Sequence, residues 1–551
     1  MKNEPQFKRL LRRHGLDAVC IVLCAVAFVH GVRATQALEY PYDIDFYVHL
    51  SHAQSALDGY FLVDPYYLNE MQWYNPLVSW LIAAVTWIFG IPLTVACTRM
   101  GAYLNLLAPL CFYALSARLL GKWAAAAAVL SFLFLAKPFL PGCYLGTYSP
   151  WLYSNNFMQA FFYLGLLVYI VSLKKKNLGW AAAAGILLGI AFLGHAGTAL
   201  ILGFVIGIME LRNMVLDWKA SGGSRKAFGR GAVRIGILFG LAFIVSLPFL
   251  YSILFHYRLK ILNDAPNGWM PFFLRLENLQ FFWTVNRSKR NLVALFGIVV
   301  LVFQPHKALE KRILFFWACV CIVFLAYCYL GQVMTRLGAH LFCRVPAYHF
   351  FFYLNAVLSL FFGYGLARSA DFLADLGRRI PLLPMSVRPF LGGRVILSLL
   401  MLLCFARYYP SYGSRFDYTE APARSRAIAG WSDWRRTHDW IRVHTHDSEV
   451  FLANDMWGMY VVGPSGRKSV AIWNLCSNPY VDWRGRNADR ETMVAFLTGK
   501  AGDIGEFMRL VSKYGVRFIL ADPDEWRISK DLPFLKKEFS GDKVEIYRIV
   551  Q

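Results

Sequence analysis

The sequence predicts a polytopic α-helical membrane protein, with about 11–13 transmembrane helices, that ends in an extracytoplasmic α/β domain. Three observations carry this. Of the 551 residues, 57% are hydrophobic and only 17% charged, and the mean hydropathy is +0.42. Apolar runs of about 17–25 residues, long enough to cross roughly 30 Å of hydrocarbon as a helix, recur through the first three quarters. After Tyr408 the composition turns to that of a soluble domain.

The formal net charge of +23 sits mostly in short connecting loops, as in membrane proteins that keep basic loops on the cytoplasmic side. The bilayer is therefore the partner that this charge calls for, and nucleic acid is not. The eleven cysteines lie mostly inside apolar runs, with no CxxC pair and no metal spacing, and read as small core residues.

In chain order, the basic leader MKNEPQFKRLLRRHG is assigned to the cytoplasm. The apolar segment after it is long and has no small-residue cleavage site, so it is a retained anchor that delivers residues 43–76 to the outside. Apolar runs follow at 76–91, 93–117, 123–139 and 157–173, then Lys174-Lys175-Lys176 marks the cytoplasm. Five crossings would leave these lysines outside, so one of the first three runs is expected not to cross fully. Later runs at 178–193, 199–211, 235–255, 291–304, 313–331, 349–367 and 395–406 alternate with basic loops and place His195 at an outer corner. The expected division is a membrane module over 1–408, with its outer loop at 39–76, and a soluble domain over 409–551. The runs DWIRVHTHDSEVFLANDMWGMYVVG, RKSVAIW, VRFILAD and KVEIYRIV, with a polar helical stretch near 489–513, read as short β-rich runs alternating with helices and give that domain its α/β class.

The outer loop DIDFYVHLSHAQSALDGYFLVDPYYLNEMQWYNPL holds the candidate chemistry. At 100° per residue, Asp45, His49, His52 and Ala56 share one narrow helical face, and Phe46, Leu50, Ala53 and Leu57 lie about a quarter turn away. This pattern suits an amphipathic helix with its apolar side in the membrane interface and Asp45 turned toward the bundle. It equally suits a solvated juxtamembrane helix. The i, i+4, i+7 spacing of Asp45, His49 and His52 also permits a metal site, with Asp45 and His49 as the first ligands, although hard Mg²⁺ or Mn²⁺ prefers more oxygen than this face supplies.

The run Asp45-Phe46-Tyr47-Val48-His49-Leu50, then Asp64-Pro65-Tyr66, then Trp73-Tyr74-Asn75-Pro76-Leu77, followed by an outer α/β tail, resembles the GT-C superfamily of integral-membrane glycosyltransferases. The loop is similar to the first outer loop of oligosaccharyltransferase catalytic subunits. Polyprenyl-phosphate-sugar mannosyl- and aminoarabinosyl-transferases are looser relatives. The resemblance implies a GT-C-like fold and an inverting hexosyl- or pentosyltransferase. It would move a sugar from a polyprenyl-phosphate donor to a glycan, lipid or protein acceptor at the outer face of a membrane, a bacterial inner membrane by the family's habit. It implies Asp45 as the catalytic carboxylate, with Asp43 in support, and a divalent cation, Mg or Mn, as a cofactor to be tested. For the donor phosphate or substrate it points to Arg344, His195, His49, His52 and Arg258.

The sequence departs from the oligosaccharyltransferase pattern in two places. The 147–159 loop, TYSPWLYSNNFMQ, has no acid, and Asn454-Asp455-Met456-Trp457-Gly458 stands where WWDYG would. A transporter or lipid-binding protein is the rival class. It calls for ionisable groups at mid-membrane, whereas the acids here cluster in outer loops.

Overall fold

The computed structural model describes residues 6–135, 144–268, 271–280, 287–305, 308–339, 345–379, 392–416, 420–430, 432–522, 524–528 and 532–550. Arg344 and the end of the 123–139 run lie outside the described residues.

Among the described residues, eight helical stretches are long and apolar enough to cross a membrane: His14–Thr35, Leu93–Leu120, Ser154–Lys175, Ala196–Ala220, Arg225–His256, Ala308–Arg336, Ala347–Arg379 and Gly393–Ser411. Three shorter apolar helices, Leu77–Phe89, Lys122–Leu135 and Leu178–Gly194, accompany them. The protein is therefore multi-pass and helical, as its composition predicts. In chain order the helices are α1 (Gln6–Thr35), α2 (Ile44–Leu57), α3 (Leu77–Phe89), α4 (Leu93–Leu104), α5 (Leu107–Leu120), α6 (Lys122–Leu130), α7 (Ser154–Lys175), α8 (Leu178–Gly194), α9 (Ala196–Ala220), α10 (Arg225–Tyr251), α11 (Lys289–Val302), α12 (Ala308–Arg336), α13 (Ala347–Arg379) and α14 (Gly393–Tyr408).

Helix α3 has 13 residues and stops at Gly90, which takes the left-handed conformation (φ 64°) that only glycine adopts without cost. At 1.5 Å per residue it spans about 20 Å, well short of the hydrocarbon thickness. Its last turn leaves Trp87, Ile88 and Phe89 exposed.

The chain forms two compact units. The first holds residues 1–36, 101–245 and 270–418. Within it α13 is enclosed along most of its length by apolar neighbours. Gly365 on α13 meets Gly297 on α11 so closely that a Cβ on either would strike the other helix's backbone, the close approach that small residues allow in membrane bundles. Buried Arg290 donates from Nη2 to Oδ1 of Asn355 at 2.9 Å.

The second unit joins residues 37–100 and 246–269 to the tail, 419–551. The tail adds α15 (Glu420–Gly430), α16 (Ser432–His444), α17 (Trp483–Leu497) and α18 (Ile504–Tyr514) around a five-stranded sheet. The strands are β1 (Val450–Leu452), β2 (Lys468–Ser469), β3 (Val516–Ala521), β4 (Leu535–Ser540) and β5 (Glu545–Ile549), in the order β2-β1-β3-β5-β4. β2-β1-β3 is parallel and β3-β5-β4 antiparallel. Val450, Leu452, Val516 and Ile519 pack on Met493 and Leu497 of α17 and on Phe507, Leu510 and Val511 of α18. Leu68 of the first loop packs against the same core.

Candidate active site

Asp43 begins α2 as its N-cap: its backbone is extended, and its carboxylate accepts the Asp45 N–H at 3.1 Å. An N-cap acid suits the positive end of the helix dipole. It also fixes Asp45 in the first turn, where its side chain is exposed. Asp45 keeps this opening to solvent while protein crowds its other sides. That lost solvation, and then the neighbouring Asp43 carboxylate, push its pKa up to about 7.

The rest of α2 departs from the amphipathic expectation. Every residue from Phe46 to Ala56 is buried, so the helix has neither a membrane-facing nor a solvated side. The cover comes from the loop itself and from the tail. Val48, Tyr66 and Tyr67 form one cluster with Met459, Ile472, Cys476 and Val481. Gly463 lies so close to the Tyr66 ring and Ser51 that a Cβ has no room there.

His49 and His52 are enclosed in this packing. His49 Nδ1 lies 3.2 Å from Ser79 Oγ, with its ring edge-on to Tyr74. His52 stacks on Tyr74 with ring centroids 5.6 Å apart, and its Nε2 has no hydrogen-bond partner among the described residues. Burial lowers the His49 pKa to about 4; for His52, burial first, then His49 and Lys468, lowers it to about 3. Both rings are neutral at physiological pH and pack around Tyr74. Among the described residues no three His, Cys, Asp or Glu side chains gather as metal ligands. Among the described residues, Asp45 and His49 therefore have no third such side chain grouped with them.

A second carboxylate anchors the loop. Asp64 is fully buried. One of its oxygens accepts the N–H groups of Tyr66 (2.8 Å) and Tyr67 (3.1 Å), and the other accepts Asn478 Nδ2 at 2.9 Å. Its backbone carbonyl accepts Lys468 Nζ, itself buried. The Tyr257 hydroxyl donates to the Met71 carbonyl at 2.8 Å and accepts the Met71 N–H at 2.8 Å and Asn478 Nδ2 at 3.0 Å. Burial raises Asp64 to about 6 against those hydrogen bonds and Lys468, and burial lowers Lys468 to about 8.

The other expected site residues belong to both units. Arg258 is exposed in the second unit, in a left-handed backbone (φ 50°) after the turn Ser252–His256. His195 belongs to the first unit, where its Nδ1 accepts the Thr198 N–H at 3.1 Å as the N-cap of α9 and its ring packs 4.3 Å from that of His349. The Asn454–Gly458 segment is tied up structurally. Asn454 caps the turn Asp455–Trp457, Asp455 pairs with Arg490, and Trp457 Nε1 donates to Asp522 at 2.9 Å.

No family model and no curated protein matches the sequence. Solved structures do match. AglB, an archaeal oligosaccharyltransferase from Archaeoglobus fulgidus in complex with an inhibitory peptide and a dolichol-phosphate, aligns at TM-score 0.56 and 12% identity over 93% of this chain and 70% of its own. ArnT from Cupriavidus metallidurans, bound to undecaprenyl phosphate, aligns at 0.55 and 12% over 96% and 97%. The arabinofuranosyltransferase AftD from Mycobacteria aligns at 0.55 and 14% over 97% of this chain and 40% of its own. The fold is that of the GT-C glycosyltransferases.

Within this GT-C fold, the described side chains do not complete a metal centre at Asp45, although the A. fulgidus oligosaccharyltransferase has been solved with zinc and sulfate. The residues that sequence reasoning misses are Lys468, Asn478 and Tyr257. The available signal was a lone lysine in the apolar run RKSVAIW, and nothing local paired it with Asp64.

Proposed function

We propose that the protein transfers a sugar from a polyprenyl-phosphate-linked donor to a hydroxyl acceptor on a glycan or lipid, at the outer face of the membrane, with inversion. The observation that carries this reading is Asp45: an exposed acid at the head of a rigid, capped helix, with a pKa near the working pH of a general base. Polyprenyl phosphates bound to AglB and ArnT support the donor class. In the reaction the acceptor O–H gives its proton to the Asp45 carboxylate and its oxygen bonds to the anomeric carbon. The bond from that carbon to the donor phosphate breaks, and polyprenyl phosphate leaves with the electron pair. A single displacement of this kind inverts the anomeric centre. Arg258, Arg344 and His195 are the groups we propose for the donor phosphate, the guanidiniums by charge and fork geometry and His195 as a hydrogen-bonding ring. The acceptor is proposed as a hydroxyl because the 147–159 loop has no acid and the Asn454–Gly458 groups are engaged elsewhere. Membranes carrying the protein, supplied with polyprenyl-phosphate hexoses and pentoses, are expected to incorporate one of the labelled sugars. Incorporation of none would refute the reading.

We further propose that α3, too short to cross, lies along the outer interface with Trp87, Ile88 and Phe89 in lipid. The chain then crosses four times before Lys174-Lys175-Lys176, which brings these lysines to the side of the basic leader. In a cysteine-free background, Phe61→Cys should react with a membrane-impermeant maleimide from the outside, and Lys176→Cys only from the cytoplasmic side. Labelling of both from one side would overturn this orientation.

A further inference from the structure

A cleft of about 490 Å³ opens in the second unit against the side of α2 that carries Leu50 and Gln54. These residues project about 140° and 180° around the helix from Asp45. An α-helix with its side chains is about 10 Å thick, so this cleft lies across α2 from the exposed Asp45. Its volume falls in the range of small-molecule sites, about 300–1,000 Å³.

The wall carries two guanidiniums, Arg99 and Arg435, and two carboxylates, Glu39 and Asp439, set beside the apolar surface of Pro92, Leu93 and Val95. Arg99 uses Nε on the Leu38 carbonyl at 2.8 Å, and Arg435 uses Nε on the Tyr40 hydroxyl at 2.8 Å. Neither gives its Nη groups to a described residue, and the Glu39 carboxylate takes no hydrogen bond from one. Glu39 and Asp439 both act on the Arg435 charge through space, so the fixed charges in the wall balance. A small anion would gain from the guanidiniums but meet two carboxylates, and a small cation would meet the reverse. A neutral molecule rich in hydroxyls uses both sets, because each hydroxyl donates and accepts. The C–H faces of a sugar ring would find Pro92, Leu93 and Val95 beside them.

We infer that this cleft binds a short neutral oligosaccharide. In its role it rests on the glycosyl-transfer reading: it holds the acceptor away from the reacting end, where remote contacts orient a substrate without touching the chemistry. The test uses the full-length protein in phosphatidylcholine nanodiscs, with maltotriose, mannotriose and arabinotriose as probes in saturation-transfer NMR and titration calorimetry. At least one trisaccharide is expected to bind. Arg435→Ala and Glu39→Gln, both at exposed positions, should each weaken it at least about tenfold by removing a charged hydrogen-bonding partner. Asp45→Asn should leave this binding unchanged. Absence of binding by all three sugars, indifference to both cleft substitutions, or displacement of the sugar by inorganic phosphate would each overturn the inference. Full transferase activity in Asp45→Asn would instead remove the catalytic reading while leaving the cleft's sugar binding intact, so the two failures are distinguishable.

Discussion

Asp45→Asn should lower the rate of sugar transfer about a thousandfold while changing the donor KM little, the signature of a general base acting in the transition state. Asparagine keeps the size of the side chain, and the backbone N–H at position 45 is still held by the Asp43 cap. The fold of α2 is therefore preserved and the loss reads on chemistry. The wild-type pH profile supplies a second readout. A base must be deprotonated to act, and the solvation lost to the protein crowded against Asp45, followed by the Asp43 charge, raises its pKa to about 7. Activity is then expected to fall as pH drops through about 7, well above the ordinary carboxylate range. Asp43→Asn keeps the helix cap, because asparagine caps as well as aspartate, but removes the neighbouring negative charge. Transfer should survive in that variant, with the acid limb moved to lower pH. Labelled-sugar incorporation measured from pH 5 to 9 in the three proteins checks all of this. Wild-type rates in Asp45→Asn would remove Asp45 from the mechanism.

The parts of the fold that were legible in the sequence are those set by local pattern. Apolar runs of membrane length located the long helices, whereas Asp43, expected only as a catalytic support, turns out to cap the Ile44–Leu57 helix. β3 and β5 show as short β-rich runs because their residues fill the tail core, and β2 opens the run RKSVAIW, whereas β1 is hidden in a longer stretch that begins as helix α16. β4, LKKEFS, is an edge strand with half of its side chains exposed and none buried, and nothing apolar alternates along it to mark it. The enclosure of His49 and His52 was not legible either. A helical wheel of α2 shows two imidazoles on a polar face, and only the fold brings Tyr74, Ser79 and the tail over them. Long-range cover of this kind decides whether a histidine is a charged contact or a neutral packing element, and spacing within one helix carries no trace of it.

The same long-range logic makes Asp64 the residue whose removal should cost most stability. Asp64→Ala leaves the Tyr66 and Tyr67 N–H groups and the Asn478 amide without the carboxylate that now accepts them. It also leaves the buried Lys468 ammonium without its nearby negative charge. Two orphaned backbone donors, and a buried cation left with only the charges of Asp447 and Asp58, should destabilise the second unit by about 3–5 kcal/mol. Asp64→Asn should cost less: its oxygen can still cap the two tyrosine N–H groups, and only the contact with Asn478 turns from acceptor to donor. The cation accounts for part of the loss, so Lys468→Met placed in the Asp64→Ala background should recover some of it. The double variant is then more stable than the sum of the two single effects, as expected for groups in one buried network. Thermal unfolding followed by tryptophan fluorescence, with limited proteolysis of the tail as a second readout, measures the series. A wild-type melting temperature for Asp64→Ala would show that this carboxylate does not hold the first loop to the tail. Strict additivity with Lys468→Met would show that the lysine feels no charge from it.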